Sequence, residues 1–292
     1  MQNTTTTTIS RDEYDKYFNT MQSLGWRNEG SNNEYIIYFF RSPDGLVSTL
    51  YSSGKVVFQG NSDFKDVINM LKGEVQVIPH IGVDEVGKGD YFGPLVVVAC
   101  FVDEEFANEV RSLGFDDSKK FSDKKILELY YKVKEYPYYY PLVLKPSDYN
   151  DLVDKLGNVS IVLAKQHTRA IEDALEDLKS KGVKCEKVVI DQFSSSKNRI
   201  LKELGPLGKA VNIDQFHKGE SDIAVACASI IARGIFLEQM ERMNNEYNFH
   251  FPKGASNVID SGKEFVSLYG VSKLREVAKV GFKTTNSVLR LV

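Results

Sequence analysis

Cysteine is scarce in this chain of 292 residues, which carries only Cys100, Cys185 and Cys227. They are odd in number, widely spaced and set among apolar neighbours, which suits neither a disulfide framework nor a zinc site. They read as reduced core residues. Long hydrophobic runs are missing too: the two most apolar stretches, near residues 94–102 and 223–232, fall short of the roughly eighteen residues a membrane span needs. The opening segment has no basic region followed by an apolar stretch, so no signal peptide is read there. The expectation is a cytoplasmic protein with no membrane partner. Met1-Gln2-Asn3 and the five threonines that follow read as a frayed polar tail. An excess of charge is absent as well, since 37 Lys and Arg stand against 40 Asp and Glu for a net charge of −3. That balance argues against a surface given over entirely to nucleic acid and leaves only local patches to consider. Two occur, Lys119, Lys120, Lys124 and Lys125 in one and Lys197, Arg199 and Lys202 in the other, and each reads first as a solvated face. No internal repeat and no compositional sign of extensive disorder are found.

What is present is an ordinary globular composition, 42% hydrophobic and 26% charged, at a length comfortable for two domains. In residues 1–75, Tyr14, Tyr17, Phe18, Met21 and Leu24 recur at helical spacing behind a Ser10–Glu13 capping box, and Gly25 stops the helix. Three strands follow near 34–41, 46–51 and 55–59, the last two joined by a tight hairpin at Ser52-Ser53-Gly54. A helix carrying Phe64, Val67, Ile68 and Leu71 completes an α-β-β-β-α unit with one sheet face left open. Residues 76–292 change pattern. Val77, Ile78, Ile81 and Val83 predict a buried strand with an antiparallel partner over 95–102. A helix from 123, a strand over 138–144, helices near 147–156 and 159–181, strands at 187–190 and 210–213, a helix over 197–204 and a long helix from 223 to 247 follow. This order predicts a mixed α/β sheet flanked by helices on both faces.

The densest chemistry lies in Asp84-Glu85-Val86-Gly87-Lys88-Gly89-Asp90-Tyr91-Phe92-Gly93-Pro94. Two ionised carboxylates side by side at a strand end repel one another, and a divalent cation between them is the simplest compensation. The same residues also describe an acidic hairpin turn. Gly87 and Gly89 let backbone N–H groups approach a ligand, but the spacing fits neither a P-loop nor a dinucleotide loop. Asp191 ends a second apolar strand, Val188-Val189-Ile190. Glu220 and Asp222 stand just before the helix that starts at Ile223, where an acid also serves as a cap or first-turn residue. Three acidic points on one sheet can hold two divalent ions, roughly 3.5–4 Å apart, for phosphodiester hydrolysis.

These runs continue with Asp117-Ser118-Lys119-Lys120, His217-Lys218-Gly219-Glu220, Ala226-Cys227-Ala228-Ser229-Ile230-Ile231-Ala232-Arg233 and Phe251-Pro252-Lys253-Gly254-Ala255-Ser256. In this order, from about residue 78 to 285, the chain resembles the type 2 ribonucleases H. The stretch Leu50–Gly60 resembles the TATA-box-binding-protein-like (TBP-like) domain of the ribonuclease HIII branch. The resemblance implies a ribonuclease H-like mixed sheet over residues 76–292, preceded by a small α+β TBP-like domain over 1–75. It implies an endonuclease that cuts the RNA strand of RNA/DNA hybrids to 5′-phosphate and 3′-hydroxyl ends, with Mg2+ or Mn2+ as cofactor. The family's catalytic ligands fall on Asp84, Glu85 and Asp191. The fourth falls on Glu220, with Asp222 as its rival. Gly87, Lys88 and Gly89 are expected at ribose 2′-hydroxyls and Ser118, Lys119 and Lys120 at phosphates. The open N-terminal sheet face, with Tyr51, Lys55 and Phe58, is expected to tether the hybrid. A cytoplasmic monomer serving DNA replication and repair completes the expectation.

Overall fold

The computed structural model describes residues 3–72, 77–115, 121–191, 198–216 and 222–290. The chain divides into two compact units, Met1–Gln76 and Val77–Val292.

In the first unit the threonine-rich segment is not a tail. Asn3–Thr8 forms strand β1, paired antiparallel with β5 (Lys55–Gly60), Thr4 opposite Gln59 and Thr8 opposite Lys55. Threonine is β-branched and fits a pleated ladder, and a polar edge strand buries too little to announce itself by apolar residues. Between them come α1 (Tyr14–Ser23), β2 (Arg27–Asn28), β3 (Ile36–Arg41) and β4 (Val47–Tyr51), and α2 (Lys65–Lys72) follows. The five strands lie in the order β1-β5-β4-β3-β2, every neighbouring pair antiparallel. The capping box forms as expected, with the Ser10 N–H and hydroxyl both donating to the Glu13 carboxylate at 2.7 Å. Gly54 turns β4 into β5 at φ +82°, where a Cβ would lie 2.4 Å from the Ile9 carbonyl oxygen.

Tyr17, Met21, Phe40, Leu50, Val56 and Phe58 form the core between this sheet and its helices. Phe58 stacks on Phe64 at 5.1 Å and meets Trp26 edge-on. That corrects the expectation of Phe58 on the open face, because strand alternation sends Lys55, Val57 and Gln59 to the other side instead. Tyr51, half-buried, and Lys55, exposed, do sit on that other side, where the Arg41 guanidinium covers the Phe39 ring at 5.7 Å.

The second unit is built on β6 (His80–Val86), β7 (Leu95–Val102), β8 (Tyr139–Leu144), β9 (Lys187–Asp191) and β10 (Asn212–Phe216), in the order β10-β9-β6-β7-β8. β6, β7 and β8 are antiparallel, whereas β9 joins β6 and β10 in parallel. All eight residues of β7 are buried, as a strand covered on both faces must be. Ile78, by contrast, precedes β6 and is 70% exposed, against the buried position its side chain suggested.

One face of the sheet packs α3 (Glu104–Ser112), α4 (Asp123–Val133) and α8 (Ile223–Tyr247), together with α9 (Ile259–Tyr269), α10 (Leu274–Val277) and α11 (Lys283–Leu289). The other packs α5 (Pro146–Leu156), α6 (Val159–Ser180) and α7 (Asn198–Glu203). Helix α3 is an element beyond those the sequence predicts, although Asp103 caps it by accepting the Phe106 N–H at 2.9 Å and Phe106, Ala107 and Val110 form its buried stripe. By length and composition α8 could cross a membrane, but 67% of its most apolar window is buried within the unit. A helix enclosed by a sheet and further helices is apolar all round for that reason. It lies so close to β6 that a Cβ on Gly82 would stand 2.1 Å from the Ala224 carbonyl carbon.

Candidate active site

The contacts of β6 fix which way each acid points. His80, Gly82 and Asp84 face α8: His80 bonds to Asp222, Gly82 lies against Ala224 and Val225, and Asp84 accepts a hydrogen bond from Ser229. Ile81, Val83 and Glu85 face α6, the first two in its apolar core and Glu85 against His167. Asp84 and Glu85 therefore project to opposite faces of the sheet, as neighbours on a strand do. This revises the picture of two carboxylates side by side with an ion between them. Each acid has its own surroundings instead.

Asp84 gains a different neighbour. Val83 is paired with Ile190 on the parallel strand β9, so Asp84 and Asp191 stand one step further along adjacent strands, which run about 4.8 Å apart. Burial pushes the Asp84 carboxyl up to about 7, and the charges of Glu85 and, more weakly, Asp191 push the same way. Hydrogen bonds from Ser229 and from the Glu85 N–H, at 2.8 Å, oppose the rise. Glu85 moves the other way. Burial disfavours its charge, but the His167 hydrogen bond and the Lys88 ammonium outweigh burial and hold it below the usual carboxylate range. Its Oε2 lies 3.1 Å from His167 Nε2 and its Oε1 2.8 Å from Lys88 Nζ.

The turn after β6 is tied down from outside. Gly87 adopts φ +92°, and a Cβ there would lie 2.2 Å from the Pro94 carbonyl oxygen. Its glycine is thus required by the turn itself, whereas Gly89 has open space beside it. The Asp90 carboxylate accepts the Gly254 N–H at 2.7 Å, and the Tyr91 N–H donates to the Gly254 carbonyl at 2.8 Å. Lys279, buried, donates to the carbonyls of Gly93 at 2.6 Å and Asp90 at 2.8 Å. The Phe251–Ser256 run and the segment around Lys279 thus act as braces for the Gly87–Gly93 turn.

Asp222 is committed elsewhere. It caps α8 by accepting the Ala224 and Val225 N–H groups at 3.0 and 3.1 Å, and its carboxylate meets His80 Nε2 at 2.9 Å. His80 begins β6, four residues and roughly 13 Å of strand before Asp84. Glu220, Ser118, Lys119 and Lys120 lie outside the described residues. Among the described residues, no three His, Cys, Asp or Glu side chains already converge in a cage for an ion. What the strand ends do offer is carboxylate oxygen, the donor that Mg2+ and Mn2+ prefer. The raised Asp84 pKa marks a carboxyl whose ionisation a cation would favour.

The ribonuclease HII family model matches residues 81–285. Ribonuclease HIII of Protochlamydia amoebophila is 35% identical over 265 residues, 86% of each chain. That of Streptococcus pneumoniae is 36% identical over 266 residues, 87% of this chain and 89% of its own. The chain belongs to the ribonuclease HIII family. Its fold agrees with that of Bst-RNase HIII, solved in complex with Mn2+, at TM-score 0.71 and 26% identity over 99% of both chains. Aquifex aeolicus RNase H3 follows at TM-score 0.57 and 28% identity, over 96% of this chain and all of its own. As a ribonuclease HIII, the chain is a hydrolase of the ribonuclease H class.

Three residues of the site, His167, Ser229 and Lys279, are not marked by the sequence pattern as functional. The signal for His167 was a polar residue in the apolar stripe Leu163, Ala164, Ala170, Ile171 and Ala174 of α6. Ser229 similarly interrupts the apolar α8. Neither interruption names its partner, which comes from a strand more than eighty residues away in sequence.

Proposed function

We infer that this chain cuts the RNA strand of an RNA/DNA hybrid internally, by metal-dependent hydrolysis that leaves 5′-phosphate and 3′-hydroxyl ends. The observation that carries the reading is the placement of Asp84 and Asp191 one step beyond the Val83–Ile190 pair on neighbouring parallel strands, where burial raises the Asp84 carboxyl to about 7. Asp84 and Asp191 would hold the metal from adjacent strands with Glu85 as a further ligand, and Glu220 would complete the catalytic set, because Asp222 already serves as a helix cap paired with His80. A divalent cation, Mg2+ or Mn2+, supplies the Lewis acidity that lowers the pKa of a water and offsets charge on the leaving oxygen.

The protein's own part is orientation and recognition. Gly89 leaves space at the turn for a ribose, and backbone groups of Gly87, Lys88 and Gly89 read the 2′-hydroxyl that separates RNA from DNA. Lys88 adds positive charge at the same point, and Ser118, Lys119 and Lys120 contact phosphates. The Met1–Gln76 unit is the TBP-like tether. Its open sheet face, with Tyr51 and Lys55, raises the local concentration of hybrid without adding a contact at the scissile bond.

The test is a cleavage assay with Mg2+ and with Mn2+ on an RNA/DNA hybrid, a duplex carrying one ribonucleotide, and plain DNA. Cutting confined to ribonucleotide-containing strands supports the reading, and Asp191→Asn should abolish it while hybrid binding persists. Cleavage of plain DNA, or undiminished turnover by the Asn variant, would overturn it.

A further inference from the structure

The two oxygens of Glu85 are held by groups of opposite character. Oε2 meets His167 Nε2 at 3.1 Å, where the histidine side chain is 0% exposed and that of the glutamate 6%. Oε1 meets Lys88 Nζ at 2.8 Å, and the lysine side chain is 43% exposed. An ionised carboxylate can only accept, so His167 carries its hydrogen on Nε2 in this contact. His167 shares a face of α6 with Leu163, Ala164, Ala170 and Ile171, all in the apolar core beneath the sheet, so the ring is enclosed away from water.

We propose that His167 is a positioning residue for Glu85, fixing Oε2 so that Oε1 is the oxygen presented to the catalytic cation, with Lys88 as its exchangeable placeholder. The proposal rests on the reading of Glu85 as a metal ligand given above. A buried hydrogen bond to a charged group is strong and stays dry, whereas an exposed ion pair is weak and screened. A cation held at Oε1 would displace Lys88, whose exposed side chain in the Gly87–Gly89 turn would then be available to a substrate phosphate. His167 stays. The carboxylate is then held at one oxygen by the protein and acts through the other.

The role predicts separable effects. Partners that orient a ligand from behind change metal affinity or activity by about 10- to 100-fold when removed. His167→Ala should therefore weaken Mn2+ binding, measured by calorimetry on the full chain without substrate, by that factor. It should lower kcat with little change in KM for the hybrid. His167→Gln offers an amide N–H near the same point and should restore most of the Mn2+ affinity. Lys88→Ala should tighten Mn2+ binding, since a competing ammonium is gone, and raise KM for the hybrid. Urea unfolding of each variant separates these effects from misfolding. Wild-type Mn2+ affinity in a folded His167→Ala, or failure of Gln to rescue where Ala is impaired, would overturn the positioning role. If Asp191→Asn and Glu85→Gln leave Mn2+ binding intact, the metal-ligand reading itself fails, which is a different result from the loss of His167 alone.

Discussion

Gly82→Ala is the most demanding test of how the second unit is put together. The added Cβ would stand 2.1 Å from the Ala224 carbonyl carbon and 2.2 Å from the Val225 nitrogen, against the 3.4 Å at which ordinary contact begins. Both obstacles are backbone, so neither can rotate away. Alanine in place of glycine within a strand would otherwise gain about 0.5–1 kcal/mol. Here the first turn of α8 must retreat from β6 by more than 1 Å. Overpacking of this kind costs about 1–3 kcal/mol, and the backbone nature of the clash places it at the upper end, near 3 kcal/mol. After the intrinsic gain, a net loss of about 2 kcal/mol remains, equivalent to a fall in Tm of about 4–8 °C for a domain of this size. The same retreat draws Ser229 away from Asp84, so hybrid cleavage should fall as well. Thermal unfolding followed by circular dichroism checks the first effect, and single-turnover cleavage checks the second. Gly89→Ala is the internal control for stability, because nothing lies within 4 Å of its would-be Cβ and its backbone is not left-handed. It should unfold within about 0.5 kcal/mol of wild type. If Gly82→Ala is as stable as Gly89→Ala, the close approach of β6 and α8 is wrong.

Two further outcomes turn on pH. His80 is raised above 6.5 although burial opposes its charge, because Asp222 accepts its hydrogen bond and attracts it, while Asp222 is lowered below 3.8 by the same contact against its own burial. The histidine's contribution is complete below about 6.5 and is lost as pH rises through its higher folded value; the aspartate's is lost as pH falls through its lower one. His80→Gln should therefore lag wild type in urea unfolding most at pH 5 and least at pH 8, and equal lag at both would refute the ion pair. Burial pushes Lys279 down from 10.5 to about 7, so the unfolded chain binds more protons between those values and wild-type stability rises with pH across them. Lys279→Met loses that slope and leaves the Asp90 and Gly93 carbonyls without their donor, at about 1–3 kcal/mol for each buried group. It should be less stable at pH 7 and fall further behind by pH 9; parallel stability curves would show that the Asp90 and Gly93 carbonyls keep the ammonium charged.

The sequence made some of this legible and hid the rest for identifiable reasons. Strand β7 and helices α6 and α8 could be read because burial on both faces or along a stripe writes itself directly into composition. The Asp84–Glu85 pair and Asp191 were visible as acids closing apolar strands. Their neighbourhood was not, because it depends on Val83 pairing with Ile190 across more than a hundred residues. Period-two alternation implies that Asp84 and Glu85 diverge, against the reading of the two as a side-by-side pair. β1 was missed for the opposite reason, since its threonines favour strands by shape while carrying no apolar signal. Phe58, three positions after Lys55 on β5, faces the opposite side of the sheet, so an aromatic near a lysine on a strand cannot be assigned a face until the register is counted from a residue whose burial is known.

The divergence of Asp84 and Glu85 also explains why the site demands so much of the scaffold. Asp84 is held through Ser229 on α8, and Glu85 through His167 on α6, so the two acids depend on separate cores on opposite faces of one sheet. Only β6 is common to both. Its position is fixed on the α8 side by a glycine that admits backbone contact and at its end by a turn braced through Asp90, Gly254 and Lys279. A shift in either helix layer moves one acid without the other. The relative placement of the carboxylates therefore measures the registry of the two layers across the sheet. His167 and Ser229, polar residues inside helices whose packing alone would favour apolar ones, hold each acid to its own layer.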